Sequence, residues 1–214
     1  MNRKLLILSA IPIVLIVLMI IFNSLDMTSK DDKEETTPSS PLIPLSQFKV
    51  LSDTFNADSG CVRVLGLLSP TDPVSNRGYR TLKYVLHEIT DPELHLYIIW
   101  IPVLQTDRKE FAIRKAEEWK DERVKHFWDS ERMTTLAWQE ILGLDQLAWN
   151  VHLIYADSVT WGFEPSPPTF WMRQLGGGVD APILNKELLV KKIRKMLSKD
   201  SLSTPVTDTL KAAF

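Results

Sequence analysis

Read from the N-terminus, the hydrophobic pattern of the chain falls into three regimes. Leu5 to Phe22 is continuous aliphatic sequence, LLILSAIPIVLIVLMIIF, with no charge and Ser9 as its one polar side chain. At 1.5 Å per residue a helix of that length approaches the roughly 30 Å hydrocarbon thickness of a bilayer. From Ser24 to Pro44 the apolar content drops, and charge, Ser, Thr and Pro take over, as in a spacer that cannot bury enough surface to fold alone. Beyond this the pattern alternates between short apolar runs and helical stripes, as in a folded domain with a sheet.

Within that third regime Val62 to Leu68 (VRVLGLL) predicts a buried strand, and Ser69-Pro70-Thr71-Asp72-Pro73 punctuates it. Asp72 suits an N-cap and Pro73 the first helical position. The helix is expected over 74–87, with Tyr79, Leu82, Val85 and Leu86 inward, and Asp91-Pro92 ends it. Leu94 to Leu104 (LHLYIIWIPVL) predicts a central strand buried on both faces, with Pro102 near its end. Further helices are expected over 108–119 and 131–142, the latter capped by Asp129 or Ser130 and stopped by Gly143. Val151 to Tyr155 reads as a strand turning through Ala156-Asp157-Ser158 into Val159-Thr160-Trp161, a hairpin. A last helix over 185–197 carries Leu188, Leu189, Ile193, Met196 and Leu197 on one face and Lys191, Lys192, Arg194 and Lys195 on the other. Two strands joined by a crossover helix are expected to be parallel, and the hairpin to add antiparallel strands. The fold class is therefore α/β, a mixed sheet flanked by helices and preceded by one transmembrane helix.

The flanks of the aliphatic run set its orientation. Arg3 and Lys4 precede it and Asp26 follows, so the N-terminus is expected in the cytoplasm and the domain on the extracytoplasmic side, periplasmic or outer. The run is longer than a signal-peptide core, and Asn23-Ser24-Leu25-Asp26 offers no small-x-small cleavage site, which favours an uncleaved anchor. The division is then 1–23 anchor, 24–46 linker, 47–198 folded domain and 199–214 flexible tail.

Composition narrows the chemistry. A net charge of −2 gives no footprint for nucleic acid. Four histidines and one cysteine provide no zinc framework, and neither a metal nor a cofactor is expected. His126, Asp129 and Glu131 lack ligand spacing and read as surface and cap residues. His87, His95 and His152 fall on separate elements, with no local Ser–His–Asp grouping, Gly-rich phosphate loop or paired carboxylates. Seven tryptophans imply either a Trp-rich core or an aromatic groove. The basic face of the last helix is either solvated or a contact for anionic lipid.

The order of elements, with a helix starting directly after the first strand, resembles the thioredoxin-like superfamily across roughly Cys61 to Leu197, about two thirds of the chain. In that family a Cys-x-x-Cys pair opens this helix. Set against a pattern such as S-P-T-C-P-V-C, the segment Ser69-Pro70-Thr71-Asp72-Pro73-Val74-Ser75 has Asp72 and Ser75 in the two cysteine positions. Trp100-Ile101-Pro102-Val103-Leu104 is similar to the second strand of extracytoplasmic members. Val124-Lys125-His126-Phe127-Trp128-Asp129 and Thr169-Phe170-Trp171-Met172-Arg173-Gln174-Leu175 are similar to segments of a subset of bacterial members. The family's proline before its next strand is missing, since Ala148-Trp149-Asn150 precede Val151.

A thioredoxin nucleophile is a thiolate favoured by the helix N-terminus, and a second cysteine one turn on closes the disulfide. Asp72 keeps negative charge on the helix dipole but cannot attack a disulfide, and Ser75 has no resolving chemistry. With the aliphatic anchor, the resemblance leads to the expectation of a membrane-tethered domain that lacks the family's dithiol chemistry, leans away from enzymatic activity and binds a protein or peptide partner. Its groove would involve Asp72, Pro73, Val74, Ser75 and Pro102. Asp72 and Ser75 read equally as a plain helix cap. Cys61, the one thiol, reads either as a small buried hydrophobe or as a reactive thiol that acts with a partner cysteine.

Overall fold

The computed structural model describes residues 41–174 and 181–198. The expected anchor (1–23), most of the linker and the tail (199–214) lie outside the described residues. No helix among the described residues is long and apolar enough to cross a membrane.

The elements in chain order are β1 (Leu42–Pro44), α1 (Phe48–Ala57), β2 (Val62–Leu68), α2 (Pro73–Glu88), β3 (Leu94–Trp100), α3 (Lys109–Glu117), β4 (Val124–Trp128), α4 (Met133–Ile141), β5 (Val151–Tyr155), β6 (Phe170–Arg173) and α5 (Lys186–Leu197). They build one six-stranded sheet in the order β1-β4-β3-β2-β5-β6. β1, β4, β3 and β2 run parallel, and β5 and β6 add antiparallel pairs at the other side. This is a mixed sheet with helices on both faces.

β2 is buried along its whole length and β3 at all but one position, because each lies inside the sheet with a helical layer above and below. On one face α2, α3 and α5 bring Tyr79, Leu82, Ala112, Leu189 and Ile193 onto Val64, Leu96 and Trp100. On the other, α1 and α4 bring Leu51, Phe55 and Trp138 onto Leu65, Tyr97, Ile99 and Leu153. Trp100 and Trp138 are fully buried and Trp161 nearly so, which resolves the tryptophan question towards core.

Four expectations are corrected. Leu42–Pro44 falls in the stretch read as spacer, yet it is a strand paired with β4 through Leu42↔His126 and Pro44↔Trp128. α1 was not anticipated, and its entry residue Gln47 makes no side-chain cap, so the usual start signal is absent. β3 ends at Trp100, leaving Pro102 beyond the strand. The partner of β5 is Phe170–Arg173 rather than Val159–Trp161. Trp161 instead stacks on Phe55 at 3.7 Å between ring centroids, filling space beneath a helix that the sequence pattern did not announce.

Arg63, inside an apolar run, is also buried. Its guanidinium donates to the carbonyls of Phe55, Ala156, Asp157 and Val159 and lies over the Phe55 ring. A cation there is tolerable because four carbonyls replace its hydration. It ties α1 and the loop after β5 to the sheet.

Candidate functional site

α2 starts where β2 ends, and its first turn holds the two positions expected to carry cysteines. Asp72 is the N-cap, its carboxylate accepting from Ser75 N at 2.7 Å, with Pro73 in the first turn. Neither Asp72 nor Ser75 points outward: Asp72 is 8% exposed and Ser75 is fully buried. Asn150, also fully buried, closes the set by donating from Nδ2 to Asp72 Oδ2 at 3.0 Å. Its Oδ1 accepts from Ser75 Oγ at 2.6 Å. Asn150 stands immediately before β5 with φ +56°, a left-handed conformation that Asn adopts more readily than most residues.

The network continues into the loop before α3. Ser69 N donates to Ser75 Oγ, and Ser69 Oγ accepts from Asp72 N while donating to Asp107. Asp107 also accepts from Thr71 N, Thr71 Oγ1 and Leu104 N. Three separate stretches are therefore laced together: the start of α2, the residue before β5, and the loop after β3. Burial alone would raise the Asp72 carboxyl, but donors from Ser75, Asn150 and Val74 outweigh it and hold the group below the usual carboxylate range. What remains at the surface is Pro73, with Val74 and Pro102 half-buried.

The sequence singled out Asp72 and Ser75 but not Asn150, Asp107 or Ser69. Asn150 carried a readable signal, an Asn where the resembled family has proline. Asp107 carried none, since its partners lie in loops that meet only in the fold.

His126 and Asp129 go to structure. His126, expected at the surface, is buried; its Nδ1 accepts from Trp100 Nε1, and burial pushes it down to about 4. Asp129 accepts from Met133 N, Thr134 N and Thr134 Oγ1 at the start of α4. Glu131 is exposed. Among the described residues no group of three His, Cys, Asp or Glu side chains is gathered in the manner of metal ligands.

A second cluster lies at the other end of β2. Cys61 is half-buried, with Sγ 3.9 Å from His95 Nε2. His95 Nδ1 lies 2.8 Å from Asp58 Oδ2, and Asp58 also accepts from Lys125 and Tyr97. Burial opposes the Asp58 charge, but the neighbouring His95 and the bonds from Lys125 and Tyr97 prevail and keep its carboxyl low. The sequence left Cys61 and His95 on separate elements. Parallel pairing of β2 and β3, with Val62↔Leu94 and Arg63↔His95 in register, draws them together, and the unanticipated α1 supplies Asp58 at its C-terminus.

Strand order, parallel crossovers and the antiparallel β5–β6 pair define a thioredoxin-like α/β domain, one whose helix-start position carries Asp and Ser. No family model and no curated protein matches the chain. Among solved structures, a secreted Mycobacterium tuberculosis disulfide oxidoreductase homologous to E. coli DsbE is similar at 13% identity, over 65% of this chain and 84% of that one, with a TM-score of 0.40. A putative thioredoxin from Neisseria meningitidis is similar at 12% identity, over 68% and 81%, with a TM-score of 0.45. A thioredoxin-family thiol:disulfide interchange protein from Chlorobium tepidum is similar at 8% identity, over 66% and 83%, with a TM-score of 0.42.

Proposed function

We propose that this protein is a membrane-tethered, redox-inactive thioredoxin-like domain that binds a protein or peptide partner outside the cytoplasm. The observation that carries the reading is the engagement of Asp72 and Ser75 with Asn150. Positions where a dithiol would work hold a carboxylate and a hydroxyl, buried and committed to each other. Neither can exchange with a disulfide. Pro73, Val74 and Pro102 are the accessible remainder and the contact surface for the partner. The Leu5–Phe22 run supplies the tether, and its basic flank the orientation.

Two measurements on the full chain test this. In a dithiol-driven insulin-reduction assay it is expected to give no rate above background, and a catalysed rate would refute redox inactivity. A photo-crosslinking residue at position 73 or 102, in native membranes, is expected to capture one discrete partner, while the same residue at Lys191 on α5 does not. Equal capture at all three positions would refute the assigned surface.

A second reading is favoured by the half-buried placement of Cys61 beside His95 rather than in the core. There the domain acts through a mixed disulfide between Cys61 and a partner cysteine, and Cys61→Ser abolishes the adduct.

A further inference from the structure

Two neighbouring helices on one side of the sheet carry an excess of positive charge that the other side lacks. α2 and α5 hold eight Lys and Arg side chains against Glu88 and Glu187, whereas α1 and α4 hold Lys49 against Asp53 and Glu140. α2 and α5 pack together, their inner faces giving Leu82, Val85, Leu189 and Ile193 to one core cluster. Across the seam Arg194 Nη2 donates to Glu88 O at 3.0 Å, and Lys186 Nζ lies 4.6 Å from the Tyr84 ring centroid. Burying those inner faces turns the basic residues outward, and Arg77, Arg80, Lys191, Arg194 and Lys195 are all exposed. The sequence displayed the basic stripe of α5 alone; the fold sets that of α2 beside it.

Local acids do not neutralise this face. Glu88 is met by Arg194 at 4.0 Å and Glu187 by Lys186 at 3.7 Å. Among the described residues Arg77, Arg80, Lys191 and Lys195 have no carboxylate within ion-pair distance. The crowding reaches α3, where burial pulls the Lys115 ammonium below its ordinary range and Lys83 and Arg80 push it the same way against Glu118. On the far side, by contrast, Lys49 is paired with Asp53 at 2.7 Å. Like charges gathered in this way are relieved by an external anionic surface.

We propose that the α2–α5 face is a docking surface for anionic lipid headgroups. The proposal rests on the tether put forward above and adds a lipid contact to it. Eighteen residues, 23–40, separate the Leu5–Phe22 run from the first described residue. Even at full extension they span no more than about 60 Å, so a lipid surface is always within reach. Headgroup charges lie in a plane and so match cations spread over two adjacent helices, of which Lys186 to Lys195 alone covers about 14 Å of axis. Each Lys or Arg near such a surface strengthens the contact by about fivefold, and salt screens it.

The test uses the full chain in nanodiscs of phosphatidylcholine alone, or of equal parts phosphatidylcholine and phosphatidylglycerol, with a nitroxide on some headgroups. A fluorophore is attached at Lys191→Cys on α5, or at Glu140→Cys on α4 as the far-side control, each with Cys61→Ser. At low salt the probe at 191 is expected to be quenched more strongly in anionic discs than in neutral ones, and the probe at 140 equally in both. Arg77→Gln, Arg80→Gln and Lys195→Gln together are expected to lower the contacting population about a hundredfold. The melting temperature should not move, because all three side chains are exposed. Equal quenching of the 191 probe in both discs, the same lipid dependence at 191 and 140, or no loss in the triple variant overturns the proposal. Soluble polyglutamate forms a separate arm. If it shifts the emission of a 191 probe that anionic discs leave unquenched, the face belongs to an acidic polypeptide and the lipid assignment is overturned. A chain that inserts into neither disc overturns the tether and this proposal with it. A chain that inserts without charge-dependent quenching overturns this proposal and leaves the tether standing.

Discussion

Replacing Asn150 with Ala removes the keystone of the α2 start. Two buried hydrogen bonds go, one to the Asp72 carboxylate at 3.0 Å and one from the Ser75 hydroxyl at 2.6 Å. A bond to a charged group contributes about 1.5–3 kcal/mol and a neutral one about 1, and the partners left behind are themselves buried. Ala must also adopt φ +56°, at a further cost of about 1 kcal/mol. The expected loss is therefore about 4 kcal/mol, a large part of the stability of an ordinary domain. Asn150→Gly separates the contributions, since Gly accepts the backbone and loses only the bonds; it is expected to cost about 1 kcal/mol less than Ala. Asn150→Asp keeps the shape but sets a second carboxylate beside Asp72, so its deficit should shrink as pH falls and one group protonates. Urea unfolding followed by tryptophan fluorescence reads all three. A loss below about 1 kcal/mol for Asn150→Ala would refute the view that this network fastens α2 to β5.

Acid is expected to weaken the fold in a definite window. Burial pushes His152 down to about 4, only partly offset by the Gly78 backbone, and His126 reaches the same range. The unfolded chain binds protons as pH falls through 6.5 while the folded one does not until about 4. Stability is thus full above 6.5 and declines between 6.5 and 4, by up to about 3 kcal/mol for each group. The lowered carboxyls of Asp58 and Asp72 add their loss only below the ordinary carboxylate range, so the two windows are separable. A urea midpoint that is flat from pH 7 to pH 5 would sink this account. Gly78→Ala should destabilise despite better helix propensity. Its new Cβ would sit 2.8 Å from the fully buried His152 ring and closer still to Gln174 Oε1. Overpacking costs about 1–3 kcal/mol against a gain of at most about 1, so a variant more stable than the parent would contradict the packing.

Several features were decided by the sequence alone, because their causes are local. Asp72-Pro73 followed by an apolar stripe starts a helix wherever it lies, since the cap and the fixed proline φ act within one turn. Gly143 ends α4 with φ +62° for the same kind of reason. The continuous apolar runs of β2 and β3 announced burial on both faces, and with it helices above and below the sheet.

What only the tertiary structure decided are the relations between distant segments. β1 is three residues of ordinary sequence whose strand character comes from docking on β4. The partner of β5 is Phe170–Arg173 rather than the nearer Val159–Trp161 segment, whose Trp161 stacks on Phe55 instead. The same holds for the sites. Asn150 meets Asp72 across 78 residues of chain, and His95 meets Cys61 across 34. Hydrogen bonds at that separation leave no periodicity in the sequence, and the register between strands is specified by which face the fold buries.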